Sequence, residues 1–157
     1  MQEMDVRSTG GNIIRKLFAA AVLLGVLGMS GCASVPMADK SADAQAKQFQ
    51  PAPDKAKVYV YRNEVMGAAV KMPVLIDNQS VGDTTSKTYI EKDLQPGPHT
   101  ITSKTEKDST ITIDMLAGKI YYVWQEVKMG MFAARSQLHE VDEAKGQAGV
   151  RESELIK

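Results

Sequence analysis

Between Lys57 and Val141 the chain is a series of short runs rich in Val, Ile, Tyr and Thr, each closed by a turn signal. Such side chains fit a pleated surface. The runs are "KVYVYR" (57–62), "MPVLIDN" (72–78), "QSVGDT" (79–84), "KTYIEKDL" (87–94), "HTITSKT" (99–105), "STITID" (109–114), "KIYYVWQEV" (119–127) and "SQLHEV" (136–141). Asp77-Asn78 is a turn pair, Pro96-Gly97 fixes one backbone angle and frees the next, and "AGK" (117–119) is a further tight turn. In "STITIDM" the alternation is clean, with Ile111, Ile113 and Met115 on one side and Thr110, Thr112 and Asp114 on the other. That is the pattern of a half-buried strand. Strands this short, with turns about every ten residues, predict an all-β fold, a small antiparallel β-sandwich over residues 55–141.

The N-terminus has a different character. Arg7, Arg15 and Lys16 precede "LFAAAVLLGVLGM", Leu17 to Met29, which carries no charge. As a helix this run spans about 20 Å, short of a bilayer core of about 30 Å. A basic segment followed by a short apolar one reads as a secretory signal peptide over residues 1–31. A short membrane anchor or a buried helix is the alternative.

The chain has one cysteine, Cys32, at the end of this run. Met29-Ser30-Gly31-Cys32 resembles the lipobox of bacterial lipoproteins, with Met29 standing where leucine is usual. The resemblance implies that the Cys32 thiol is lipidated, that cleavage follows Gly31, and that a diacylglyceryl thioether and an N-acyl chain hold the mature protein to a membrane. Two or more acyl chains anchor stably where one does so only marginally. Ala33 follows Cys32 where an aspartate would retain an enterobacterial lipoprotein in the inner membrane. The resemblance therefore implies the periplasmic face of the outer membrane, with the inner membrane as the alternative.

From Ala33 to Ala56 the sequence "ASVPMADKSADAQAKQFQPAPDKA" is polar, with Phe49 as its one aromatic residue. It carries too little apolar surface to fold alone. Ala38 to Gln48 has helical character, and "QPAPD" ends it. The expectation for residues 32–54 is a lipidated N-terminus and flexible tether, reaching roughly 25–30 Å as a coil. Residues 142–157 read as a polar C-terminal tail with a weak helical pattern near Val150, Leu155 and Ile156.

Three stretches in order resemble the bacterial lipoproteins that carry the domain of unknown function 2846. They are "KVYVYR", "VLIDNQSVGD" and "LQPGPHTIT" with "AGKIYYV", and the resemblance covers about Lys55 to Val141. Asn78 stands where that family often has glycine, and asparagine also tolerates a left-handed backbone. The same core is similar to PEGA-type surface modules, and the resemblance implies an Ig-like or PEGA-like sandwich. Neither group supplies a catalytic residue to carry over.

Catalytic and metal chemistry find little support. One cysteine and two histidines, His99 and His139, make no metal constellation by spacing. There is no G-x-S-x-G elbow, no S-x-x-K element, no phosphate loop and no dinucleotide fingerprint. Asp77 and Asp83 fit turn acceptors better than a carboxylate pair. With 19 basic and 19 acidic residues, nothing steers the chain to nucleic acid. The expectation is a non-enzymatic protein with no cofactor and no metal.

Two features suggest contacts. Tyr59, Tyr61, Tyr89, Tyr121, Tyr122 and Trp124 either line a sugar-stacking face or pack the core. "KMGMFAAR" (128–135) places Met129, Met131 and Phe132 around Gly130, as a flexible apolar loop that contacts a partner or as a bulge folded onto the core. The expected partner is an envelope protein bound by a scaffold module, with glycan or peptidoglycan as the alternative.

Overall fold

The computed structural model describes residues 34–157. The expected signal peptide and the lipobox residues Met29, Ser30, Gly31 and Cys32 lie outside the described residues.

The fold is a β-sandwich. Its strands are β1 (Ala56–Arg62), β2 (Met72–Ile76), β3 (Gln79–Thr84), β4 (Thr88–Leu94), β5 (Gly97–Ser103), β6 (Ser109–Met115), β7 (Ile120–Lys128), β8 (Arg135–Val141) and β9 (Glu154–Leu155). One sheet has the order β8-β7-β1-β4-β9 and the other β3-β2-β5-β6. Val58 and Val60 of β1, Ile90 of β4, Val123 of β7 and Leu138 of β8 face Val74 and Ile76 of β2, Ile101 of β5 and Ile113 and Met115 of β6, and together form the core. The alternation of β6 holds, with Ile113 and Met115 buried and Thr110, Thr112 and Asp114 exposed. Asp77 and Asn78 turn β2 into β3 with φ of 50° and 63°, the left-handed pair of a tight hairpin.

The sandwich is not wholly antiparallel. β1 pairs in parallel with β7, Tyr59 opposite Tyr122, and β4 pairs in parallel with β9. β1 lies between β4 and β7, and the intervening chain forms the second sheet before β7 returns beside β1.

Two segments differ from the sequence reading. Residues 34–54 are not a free tether. They carry α1 (Lys40–Ala46), capped by the Asp39 side chain, and bury Val35, Ala46 and Phe49. Residues 142–157, read as a polar tail beyond the sandwich, belong to the domain, and their weak helical pattern is realised. They form α2 (Glu143–Arg151), capped by Asp142, and then β9. Met37 bridges Ile156, so the two ends of the domain meet.

Both helices cover the outer face of the five-stranded sheet. There Tyr59, Tyr61, Tyr89 and Tyr122 are packed under Ala46, Phe49 and Val150. β1 thus buries both faces, valines inward and tyrosines outward, and reads as a continuous apolar strand for that reason.

Candidate functional site

The pairing brings four connections to one end of the sandwich. Arg62 closes β1 opposite Thr88, which opens β4. β7 runs parallel to β1, so its exit at Lys128 and the entry of β8 at Arg135 lie at that end too. The β1–β2 loop (63–71), the β3–β4 turn (85–87), the β5–β6 turn (104–108) and the β7–β8 loop (129–134) therefore share the Arg62 end. The β6–β7 turn around Gly118 lies at the other end, where the Gly118 amide donates to the Lys55 carbonyl.

Apolar side chains project from this end. Among the described residues six large apolar side chains are exposed, and five belong to these connections: Val65, Met66, Met129, Met131 and Phe132. Met129 is 82% exposed, Met131 77% and Phe132 87%. The loop does not fold back onto the core.

The loops that hold these side chains out are themselves firmly built. Arg62 follows Val58 and Val60 in the inward register of β1 and is fully buried. Its guanidinium donates to the carbonyls of Val70 at 2.8 Å, Met66 at 3.2 Å and Gly67. Desolvation lowers its pKa, while the nearby Glu64 carboxylate works in the opposite direction. Gly67 turns at φ +70°, and a β-carbon there would stand 3.0 Å from the guanidinium. Ser86 donates to the Glu64 carbonyl at 2.7 Å and ties the first loop to the β3–β4 turn.

Glu106 does the same for the β7–β8 loop. Its carboxylate accepts from Arg135 at 2.8 Å and from the amides of Phe132 at 3.3 Å and Ala133 at 3.1 Å. The Arg135 guanidinium, then those amides, hold its carboxyl below the usual range. Gly130 is required by space, since a β-carbon would lie 1.8 Å from the Ala133 carbonyl oxygen. Beneath the loops, Thr84, Gln125, Ser103 and Ser136 form a buried hydrogen-bonded chain between the sheets. Satisfied buried networks of this kind rigidify a core.

The other sequence candidates separate. The four buried tyrosines offer no sugar-stacking face, because α1 and α2 occupy it. Trp124 stacks on His139 at 5.3 Å and lies under the Lys145 ammonium. His139 pairs with Glu126, and His99 sits between the Asp77 carboxylate and the Gln95 carbonyl, each at 2.6 Å. Asp77 also accepts from the Thr100 amide, as a turn acceptor does. Among the described residues no three His, Cys, Asp or Glu side chains stand together as a metal site. No helix among them is long and apolar enough to cross a membrane.

Two of the residues that shape this end were not singled out in the sequence. Arg62 has a signal, its parity with Val58 and Val60 in a strand that otherwise faces the core. Glu106 has none, since an acidic residue in a polar turn is the ordinary case.

The sequence profile of a family of proteins of unknown function, DUF2846, matches residues 52–137. An uncharacterized protein of Haemophilus influenzae is 33% identical over 146 residues, which cover 90% of this chain and 86% of that protein. The chain belongs to the DUF2846 family.

Proposed function

We propose that this protein is a lipid-anchored, non-catalytic module of the bacterial cell envelope, an interaction or scaffold protein that works by contact and not by turnover. The observation that carries the reading is the apolar end of the sandwich. A buried arginine and a triply bonded glutamate hold Val65, Met66, Met129, Met131 and Phe132 out into solvent. Exposed apolar side chains gathered at one place mark contacts. The anchor rests on Met29-Ser30-Gly31-Cys32, and the outer membrane on Ala33.

The test is made in the cell. A photocrosslinking amino acid replaces Met131, Cys32 stays intact, and an acyl-chain label reports lipidation. A discrete adduct, protein or lipid, on an acylated protein supports the reading. An abundant, acylated protein with no adduct counts against that loop as a contact. Loss of the acyl label in Cys32→Ser checks the anchor separately.

A further inference from the structure

We infer that the partner of the apolar end is the bilayer itself, so that the sandwich sits on the membrane with its Arg62 end down and its Gly118 end toward the aqueous space. The inference rests on the lipid anchor proposed above and identifies what the apolar side chains meet.

The first observation is where the chain comes from. Ser34 and Val35 line a shallow hollow of about 420 Å³ with Thr85, Ser86 and Lys87, the β3–β4 turn of the Arg62 end. Val35 is buried, and the Lys157 amide donates to the Pro36 carbonyl, so this segment is fixed to the domain. Only Ala33 separates Ser34 from Cys32. That span is at most about 7 Å. A flexible tether would let the domain face any direction. Because residues 34–54 pack on the sandwich, an acyl group on Cys32 brings this part of the domain down to the headgroups.

The second observation is the arrangement of the apolar side chains relative to that exit. In the order β8-β7-β1-β4-β9 the Ser34 segment flanks β9 at one edge, and Met129, Met131 and Phe132 rise between β7 and β8 at the other. Val65 and Met66 follow β1 and stand between them. Three or four strand spacings separate the edges, roughly 15–20 Å. The acyl chains and the β7–β8 loop thus make two supports on opposite sides of one base, with the β1–β2 loop between.

The third observation is charge. Lys71, Lys104, Lys107 and Lys128 are exposed on the same connections. Lys104 pairs with Asp108 and Lys128 with Glu126, while Lys71 and Lys107 have no carboxylate within 4 Å among the described residues. Apolar tips flanked by the two ammonium groups of Lys71 and Lys107, unpaired among the described residues, and by ion pairs suit an interface where acyl chains lie beneath anionic phosphates. The side chains stand on separate protruding loops. A fluid interface accommodates separate protrusions, and flexible methionines adapt to it.

The test uses the full-length lipidated protein, purified from cells and reconstituted in vesicles of phosphatidylethanolamine and phosphatidylglycerol. Met131→Cys and Leu116→Cys each receive an environment-sensitive fluorophore, since a thioether-linked Cys32 has no free thiol. Leu116 is exposed at the opposite end and serves as the control. Intact mass reports acylation of Cys32. The expected result is a blue-shifted emission at 131, quenched several-fold by lipids with brominated chains, with emission at 116 unchanged. A water-like signal at 131 on an acylated, vesicle-bound protein overturns the seating and leaves the apolar end for a protein. A discrete protein adduct from a crosslinker at Phe132 in cells overturns it as well. A Cys32 without acyl mass overturns the anchor, and the seating with it. Met131 and Phe132 are both more than three-quarters exposed, so these substitutions leave the fold intact.

Discussion

Gly149 of α2 lies directly on the ring of Tyr61 in β1, so close that a β-carbon at 149 would stand 2.1 Å from Tyr61 Cε2. One turn earlier, Gly146 meets Tyr122 in the same way, at 2.2 Å from Cγ. The helix uses the absence of side chains to reach the sheet. Alanine favours a helix by roughly 1 kcal/mol over glycine. Overpacking against a fixed aromatic ring costs about 1–3 kcal/mol. Both rings are wedged under the helices, so the clash prevails. Gly149→Ala and Gly146→Ala are each expected to lower unfolding stability in urea. An increase for either would show that α2 moves away at little cost.

Asp43 joins three elements. Its Oδ1 accepts from the Tyr89 hydroxyl and from the Leu155 amide, both at 2.9 Å, and its Oδ2 accepts from Lys47 at 2.7 Å. Asp43→Ala leaves a buried hydroxyl and a strand amide without their acceptor, at a cost of about 1–3 kcal/mol. Desolvation raises the Asp43 pKa, but the Lys47, Leu155 and Tyr89 bonds outweigh it and hold the carboxyl below its ordinary value. The stabilisation is therefore present above the unfolded pKa near 3.9 and is lost as pH falls through the depressed folded value. The gap between wild type and Asp43→Ala should narrow on acidification, measured by urea unfolding from neutral pH downward. A constant gap would refute the charge assignment.

His99 titrates in the opposite sense. Partial burial disfavours the charged ring, but the Asp77 carboxylate and the Gln95 carbonyl, one on each ring nitrogen, prevail and raise its pKa. The contribution of the charged ring is present below the unfolded value of about 6.5 and is lost as pH rises through the raised folded value. His99→Gln should cost stability at pH 6 and progressively less at higher pH. The measurement is the urea midpoint of both proteins across that range, and a difference that grows with pH would contradict it.

The strands were legible because their signals are local. β6 alternates, Asp77-Asn78 takes the left-handed pair, and Gly118 turns at φ +73°. The helical layer was legible only in outline, as the helical character of Ala38 to Gln48 and a weak pattern near Val150, because the signals for its docking are distant or negative. Asp43 holds α1 through a partner 112 residues away. Gly146 and Gly149 lower helix propensity while providing the close fit to Tyr122 and Tyr61. Residues 34–54 look too polar to order themselves, and they order on the tyrosine face supplied by β1, β4 and β7. At the apolar end, "MGMF" marked the projecting residues, but only the fold shows that Glu106, 26 residues earlier than Phe132, holds them out.

Arg62 is the residue on which the β1–β2 loop depends. Three carbonyls share one fully buried guanidinium. Arg62→Met fills similar space and leaves those carbonyls without a donor, on the order of 1–3 kcal/mol for each that water does not reach. Arg62→Lys restores a charge without the planar fork, and should recover only part of the loss. Hydrogen exchange at the Val70 amide, bonded to the Gly67 carbonyl at 2.9 Å, reads the loop directly. It should quicken strongly in Arg62→Met and less in Arg62→Lys. Unchanged protection in Arg62→Met would mean the loop is held by other contacts.

The family match, residues 52–137, includes neither helix, and this bears on what folds alone. A chain cut to residues 52–141 keeps β1–β8 and most of the sandwich core but loses the core residues Val35 and Ile156 together with α1, Phe49, α2 and β9. Tyr59, Tyr61, Tyr89 and Tyr122 would then face water on a sheet designed to be covered. The edge of β4, relieved of β9, would be open to pairing with another chain. Removing one of two buried faces from so small a domain leaves little surplus stability. The cut chain is expected to retain far-ultraviolet strand signal, to bind an apolar dye and to unfold without a sharp transition. Residues 34–157 should unfold cooperatively under the same conditions. A cooperative transition of comparable midpoint in the cut chain would show that the sandwich is self-sufficient and that the helices serve only as a cover for the tyrosine face.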